Sequence, residues 1–229
     1  MTLYALPPPP QASVAIRGSS SRFAVRRIFC VGRNYADHVR EMGNDPGKSR
    51  PIFFTKPADA LVADGVTIQY PPGTADFHHE AELVAAIGLG GAMIAPADAL
   101  THVWGYAAGN DLTRRDLQAS AKESRSPWDM AKGFDASAPC SALAPAAAIG
   151  HPAQGRIHLT VNGTTRQDAD ISQMIWPLPH LIAELSTLVT IAPGDLIFTG
   201  TPAGVGPLLP GDICRVEIAG IGSVTTRIA

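Results

Sequence analysis

Hydrophobic positions along the chain come in short bursts rather than long helical stripes. Arg27 to Val31 is an apolar run closed by Gly32, and Ile52 to Thr55 is another, stopped before Pro57. Both read as short buried strands, and Val66 to Gln69 as a third. The longest strand pattern is His78 to Ile87, with His79, Ala81, Leu83, Ala85 and Ile87 on one face and His78, Glu80, Glu82, Val84 and Ala86 on the other. Val103 to Asp111, Arg156 to Val161 and Leu196 to Thr199 follow as strands, and Ile213 to Ile218 with Ser223 to Ile228 as a closing pair. Asn162-Gly163 marks a hairpin.

Helical spacing is clear in one place. Leu181, Ile182, Leu185, Leu188 and Val189 repeat at helical intervals, which predicts a helix over 178–189 with Pro179 in its first turn. Shorter helices are expected from Tyr35 to Met42, capped by Asn34, from Pro96 to Leu100, and from Thr113 to Glu123, where Thr113 and Asp116 suit an N-terminus. Residues 1–20, with Pro7 to Pro10 and Gly18 to Ser21, read as an N-terminal extension that folds on the domain or on a partner, and 21–229 as one domain. Twenty prolines and 22 glycines, spread along the chain, punctuate many short strands and turns.

A formal charge of −2 leaves no basic footprint for nucleic acid. No apolar run is long enough to span a membrane, and MTLYALPPPPQ lacks the pattern of a secretory signal, so a cytoplasmic protein is expected. Cys30, Cys140 and Cys214 are odd in number and far apart, which suits buried thiols rather than disulfides or a zinc site.

Three groups of residues carry possible chemistry. Glu80 and Glu82 project from one strand face that continues with Val84 and Ala86, and Asp111 ends a later strand. Carboxylates crowded on a half-buried face repel one another, and a hard divalent cation between them resolves the conflict. A surface strand whose glutamates pair with lysines fits the Glu-x-Glu spacing as well. His38 and Glu41, three apart on a short helix, can meet, so that the carboxylate orients the imidazole as a base toward water; an ordinary surface pair has the same spacing. Lys132, in Ala131-Lys-Gly-Phe-Asp135, is either a surface lysine or an electrophilic contact for a substrate carboxylate or a developing oxyanion. The Gly200-Thr-Pro-Ala-Gly-Val-Gly206 run lacks the Gly-Lys-Ser/Thr of a phosphate loop and fits a tight loop near a site.

Together, Ile28 to His38, His79 to Leu83, Gly109 to Asp116, Ala131 to Asp135 and Gly194 to Pro202 resemble, in order, the fumarylacetoacetate hydrolase family over residues 23–229. Within it, 27–43, 102–106 and 113–118 look like the fumarylpyruvate-cleaving members of gentisate-type aromatic degradation. The resemblance implies an α+β, mostly β fold, a mixed β-sandwich roll with few short helices, and a homodimer. It implies Mg²⁺ or Mn²⁺ held by Glu80, Glu82 and Asp111, a water-activating dyad of His38 and Glu41, and Lys132 on the substrate. Arg33, Tyr35, Arg115, Gln118 and Thr201 would be further pocket residues. The implied substrate is a 2,4-dioxo acid, an acylpyruvate such as fumarylpyruvate, cleaved to an acid and pyruvate. Arg33, Lys48, Arg50 and Arg125 are candidates for reading a distal carboxylate. Gly133 departs from the family, where serine is more usual after the lysine. Oxaloacetate decarboxylation, dienoate isomerisation and a non-catalytic metabolite-binding role are alternatives on the same fold. The His38–Glu41 pair favours hydrolysis, because the other two reactions need no activated water.

Overall fold

A computed structural model describes residues 3–43, 45–46 and 50–229. Its framework is two mixed sheets. The larger has six strands in the order Ala144–Pro145, Val103–Asn110, Ala81–Ile87, Asp195–Phe198, Arg27–Gly32 and Ile52–Lys56. All neighbours are antiparallel except Asp195–Phe198 beside Arg27–Gly32. The smaller has five strands, Thr164–Asp170, Arg156–Val161, Ile213–Ile218, Gly222–Ile228 and Thr67–Ile68.

The core explains the near-continuous apolar run Ala81-Glu-Leu-Val-Ala-Ala-Ile87. Leu83, Ala85 and Ile87 pack with Ile157, Leu159, Val216 and Val224 of the smaller sheet. From the opposite face, Val84 and Ala86 join Ile28, Cys30, Leu196 and Phe198 in a second cluster. A strand buried on both faces has no solvated side, so its sequence does not alternate between apolar and polar.

The helix over Leu178–Leu188 turns Leu181, Ile182 and Leu185 into the first cluster, as its periodicity predicts. Arg156–Val161 and Thr164–Asp170 form the hairpin expected at Asn162-Gly163, and both turn residues have positive φ (52° and 77°), the requirement of a type I′ turn. Cys30, Cys140 and Cys214 are free and buried. No helix among the described residues is long and apolar enough to cross a membrane. The result is the expected α+β, mostly β fold.

Three local expectations are corrected. Asn34 does not cap the helix that follows; that helix, Ala36–Glu41, starts from Tyr35 without a side-chain cap. Instead the Asn34 amide donates to the carbonyls of Thr199 (2.7 Å) and Trp176 (3.1 Å) and accepts from Trp176 N–H (2.7 Å). A side chain that satisfies two distant backbone segments cannot also serve its own helix. The helix expected from Thr113 begins at Arg115, because Thr113 and Arg114 pair with Phe77 and His78. The short helix expected over 96–100 lies at Ala99–His102 as a single 3₁₀ turn.

The expected extension divides. Residues 3–10 are exposed, whereas Ser13–Ala15 pairs with Arg22–Ala24 and Val14 enters the second cluster.

Candidate active site

Strand register assembles the acidic group. Ala81 lies opposite Asn110, so the residues flanking that pair, Glu80 and Asp111, meet at one end of the large sheet. Asp111 N–H donates to the Glu80 carbonyl (2.8 Å), and Glu80 N–H to Asn110 Oδ1 (2.8 Å). Glu80 occupies a break between the strands Phe77–His79 and Ala81–Ile87, where one continuous strand was expected. Glu80, Glu82 and Asp111 are all buried, and each offers an oxygen within 4.8 Å of the other two.

Their surroundings are strongly charged. Lys132 Nζ donates to Glu80 Oε2 (2.7 Å), Asp111 Oδ2 (2.8 Å) and Thr113 Oγ1 (2.7 Å), which uses all three of its N–H groups. A substrate oxygen reaching this ammonium must replace one of those acceptors. Burial works against the Lys132 charge, but Asp111 and Glu80 outweigh it and hold the pKa above the usual lysine value. Arg115 Nη2 donates to Glu80 Oε1 (2.5 Å), and its Nη1 to Gln118 Oε1 (2.6 Å). Burial alone would raise the Glu80 pKa, yet Lys132 and Arg115 drive it well below the carboxylate range.

Glu82 is the opposite case. Burial first, then the Asp111 and Glu80 charges, push its pKa well up; the Lys132 charge and the Gly200 N–H donated to Oε2 (2.9 Å) offset this only in part. Lys56 Nζ lies 2.8 Å from Asp111 Oδ1, but off the line of a hydrogen bond, so that buried oxygen has no hydrogen-bond partner. Asp111 Oδ1 is thus left without a hydrogen-bond donor, and among the described residues Glu82 forms no ion pair, so both carboxylates can take a further positive partner. The three carboxylates therefore fit a hard, oxygen-seeking divalent cation such as Mg²⁺ or Mn²⁺.

The dyad forms as its spacing predicts. His38 Nδ1 is 3.1 Å from Glu41 Oε2. An ionised carboxylate only accepts, so this contact places the imidazole proton on Nδ1 and leaves Nε2 with its lone pair. Burial lowers the His38 pKa more than Glu80 and Glu41 raise it, which favours the neutral ring. The Gly200–Gly206 loop joins the two halves of the site. Gly200 N–H holds Glu82, and Gly204 N–H holds Glu41 (3.1 and 3.3 Å). Both glycines have positive φ (98° and 94°), and a Cβ on Gly200 would sit 2.7 Å from Asn34 Cβ. The loop can approach both carboxylates only because these positions are glycine.

Arg33, His38, Glu80, Glu82, Arg115, Gln118, Lys132 and Thr201 line one cavity. Asp111 lies beneath it, bonded to Lys132. Tyr35 is buried within reach of the Glu82 charge but lines a separate cleft with Asp168 and Pro202. At Gly133, beside Lys132, a serine Cβ would meet the Asp129 carbonyl at 3.2 Å, a tight fit that glycine avoids.

Two residues that hold the site were not singled out in the sequence. Lys56 donates to the carbonyls of Leu112 (3.0 Å) and Lys132 and pairs with Asp111; its signal was a lysine closing an otherwise apolar strand. Gln167 accepts from Ala81 N–H (2.9 Å) and donates to Thr201 Oγ1 (2.8 Å). It sits in a polar stretch, Thr164 to Asp168, where nothing marks it as buried.

His79 is buried, and desolvation depresses its pKa to about 4. The unfolded chain takes up this proton near the ordinary value of 6.5, so between pH 6.5 and 4 it binds more protons than the fold. Stability should therefore fall by about 3 kcal/mol as pH drops through that window. Denaturant unfolding of the wild type and of His79→Gln across the window checks this, because the variant should lose that share of the pH dependence.

The fumarylacetoacetate (FAA) hydrolase C-terminal profile matches residues 27–229. The human mitochondrial oxaloacetate tautomerase FAHD1 is 41% identical over 203 residues, covering 89% of this chain and 91% of that protein. A fumarylpyruvate hydrolase of Ralstonia sp. is 41% identical over 189 residues, covering 82% and 98%. The crystal structure of fumarylpyruvate hydrolase from Pseudomonas aeruginosa, in complex with Mn²⁺ and pyruvate, superposes with a TM-score of 0.97 at 47% identity, covering 99% of each chain. With a profile match over nearly the whole domain and relatives aligned almost end to end, the chain belongs to the fumarylacetoacetate hydrolase family.

Proposed function

We propose that the protein is an acylpyruvate hydrolase that cleaves fumarylpyruvate to fumarate and pyruvate, working as a homodimer with Mg²⁺ or Mn²⁺ in the Glu80–Glu82–Asp111 site. The observation that carries this reading is His38 on the wall of the same cavity as Glu80 and Glu82, with Glu41 Oε2 3.1 Å from its Nδ1. A site that only moves protons on an enol does not need a second base aimed at water.

Bound by the three carboxylates, the cation would grip the 2-oxo acid end and act as a Lewis acid toward charge developing there. His38 Nε2 takes a proton from water while Glu41 holds Nδ1 and steadies the imidazolium. The Gln118 side chain, with its oxygen committed to Arg115, keeps its NH₂ for the water. Hydroxide adds to the C4 carbonyl, the tetrahedral intermediate collapses, and the C3–C4 bond breaks with its electron pair leaving on the pyruvate fragment. Lys132 and Arg115 supply positive charge beside that fragment. Protonation of C3 completes pyruvate, and the acyl half departs as the acid.

Two observations support the substrate. Relatives named for fumarylpyruvate match over nearly their full length, and the P. aeruginosa structure carries pyruvate, the product the two-part cleavage would release. A second reading, enol–keto chemistry on oxaloacetate, is favoured by the FAHD1 relatives. One assay separates them: loss of the ultraviolet absorbance of fumarylpyruvate with Mg²⁺ or Mn²⁺, repeated with chelator. Rapid, chelator-sensitive loss that yields equal amounts of fumarate and pyruvate is expected. Turnover of oxaloacetate with fumarylpyruvate left intact would replace the hydrolase reading with the second one.

A further inference from the structure

The floor of the cavity is crowded with opposed charges, but its mouth is not. Among the described residues, Arg33 and Lys122 both line the cavity and neither forms an ion pair. Arg33 holds a left-handed backbone (φ 63°), which disfavours a side chain as large as arginine. Strain of this kind persists where the surrounding structure enforces it, often at ligand sites.

An aromatic wall links the mouth to the floor. Lys132 Nζ stands 5.1 Å from the Phe54 ring centre, Phe54 and Trp128 are tilted together at 5.7 Å, and Lys122 Nζ lies 5.5 Å from the Trp128 ring. The same tryptophan packs on the backbone beside Arg33, where a Cβ on Gly32 would be 3.4 Å from Trp128 Cζ3. Lys122 thus lies on one indole at the far end of an apolar wall, and Arg33 lines the same cavity beside it. Lys122 is half-buried, and desolvation, with Arg115, Arg33 and Lys132 adding to it against Glu80, brings its pKa down to about 8. A second anion at the mouth would relieve this surplus of positive charge, and the aromatic wall between offers apolar contact to a chain joining two carboxylates.

We propose that Arg33 and Lys122 form a subsite for a second carboxylate at the acyl end of the substrate, so that the enzyme selects dicarboxylic acylpyruvates over monocarboxylic ones. This rests on the acylpyruvate hydrolase reading above. Of the other basic candidates, Arg50 is directed to Glu184 (3.6 Å) and Arg125 is exposed at the end of the helix Arg115–Ser124; Lys48 lies outside the described residues.

The test is the ratio of kcat/KM for fumarylpyruvate to that for acetylpyruvate, which shares the 2,4-dioxo acid head but ends in a methyl group. Both are measured on Mn²⁺-loaded protein. Lys122→Met should lower the ratio about ten- to a hundredfold, the range of a lost charged hydrogen bond, mainly through KM. Lys122→Arg should keep most of it. An unchanged ratio in a folded Lys122→Met protein overturns the subsite while leaving the hydrolase reading intact. If the wild type cleaves neither compound, the hydrolase reading fails, and the subsite is decided by calorimetric titration of fumarate into the Mn²⁺-loaded protein. Binding at least tenfold weaker in Lys122→Met upholds it, and equal affinity overturns it.

Discussion

Replacing His38 with alanine should reduce kcat for fumarylpyruvate by about a hundred- to ten-thousandfold, the usual contribution of a positioned general base. Mn²⁺ affinity should change far less, because His38 hydrogen-bonds to Glu41 and to none of the three carboxylates. Glu41→Gln should show a smaller loss, since the ring keeps its place but not its charged partner. The pH profile supplies a second readout. The His38 pKa lies below the ordinary 6.5, chiefly through burial, and the base must be unprotonated to act. Activity should therefore rise with pH along an acid limb centred below 6.5 and be level through neutrality. An His38→Ala enzyme with near-native turnover would remove the dyad from the mechanism.

Lys56→Met should destabilise the fold by about 3–5 kcal/mol, the cost of breaking a buried ion pair and leaving one charge behind. The lysine side chain is fully buried, as is Asp111. It also donates to the carbonyls of Leu112 and Lys132, so its loss takes the donor from the buried Leu112 carbonyl, while the Lys132 carbonyl keeps the Ser137 hydroxyl (3.0 Å). Denaturant unfolding measures the effect, and a double-mutant cycle with Asp111→Asn apportions it. Removing both partners should cost less than the two single changes added together. Wild-type protein should also gain thermal stability with added Mn²⁺. Asp111→Asn should lose most of that gain, which reads out the metal site independently of turnover.

How far the sequence discloses this arrangement depends on whether the signal is local. The 178–189 helix and the Asn162-Gly163 turn are set by spacing and backbone preference within a few residues, and both stand where expected. The His38–Glu41 pair is local in the same sense. The meeting of Asp111 with Glu80 and Glu82 depends on the pairing of two strands, and spacing along the chain can only suggest it. The Asn34 amide serves carbonyls more than 140 positions away, and no helix-capping rule registers that competition. Lys56 and Gln167 look ordinary for the same reason: burial and partners are assigned to them by distant segments. The families of motifs supplied what periodicity did not, by placing the separate carboxylates, dyad and lysine in a single site.

The two halves of that site rest on unequal foundations. Glu82 lies within a strand buried on both faces, and Glu80 and Asp111 directly adjoin such strands, whose amides should exchange with solvent only when much of the domain opens. The base is carried on a six-residue helix, Ala36–Glu41, that buries only His38 and Val39 and has no side-chain cap. So short a helix has little stability of its own and is held by what it touches. Local opening therefore reaches the base long before it reaches the acids, and a brief excursion of this helix switches off water activation while a bound cation keeps its ligands. Heat or mild denaturant should cost this protein its turnover before it costs it its metal.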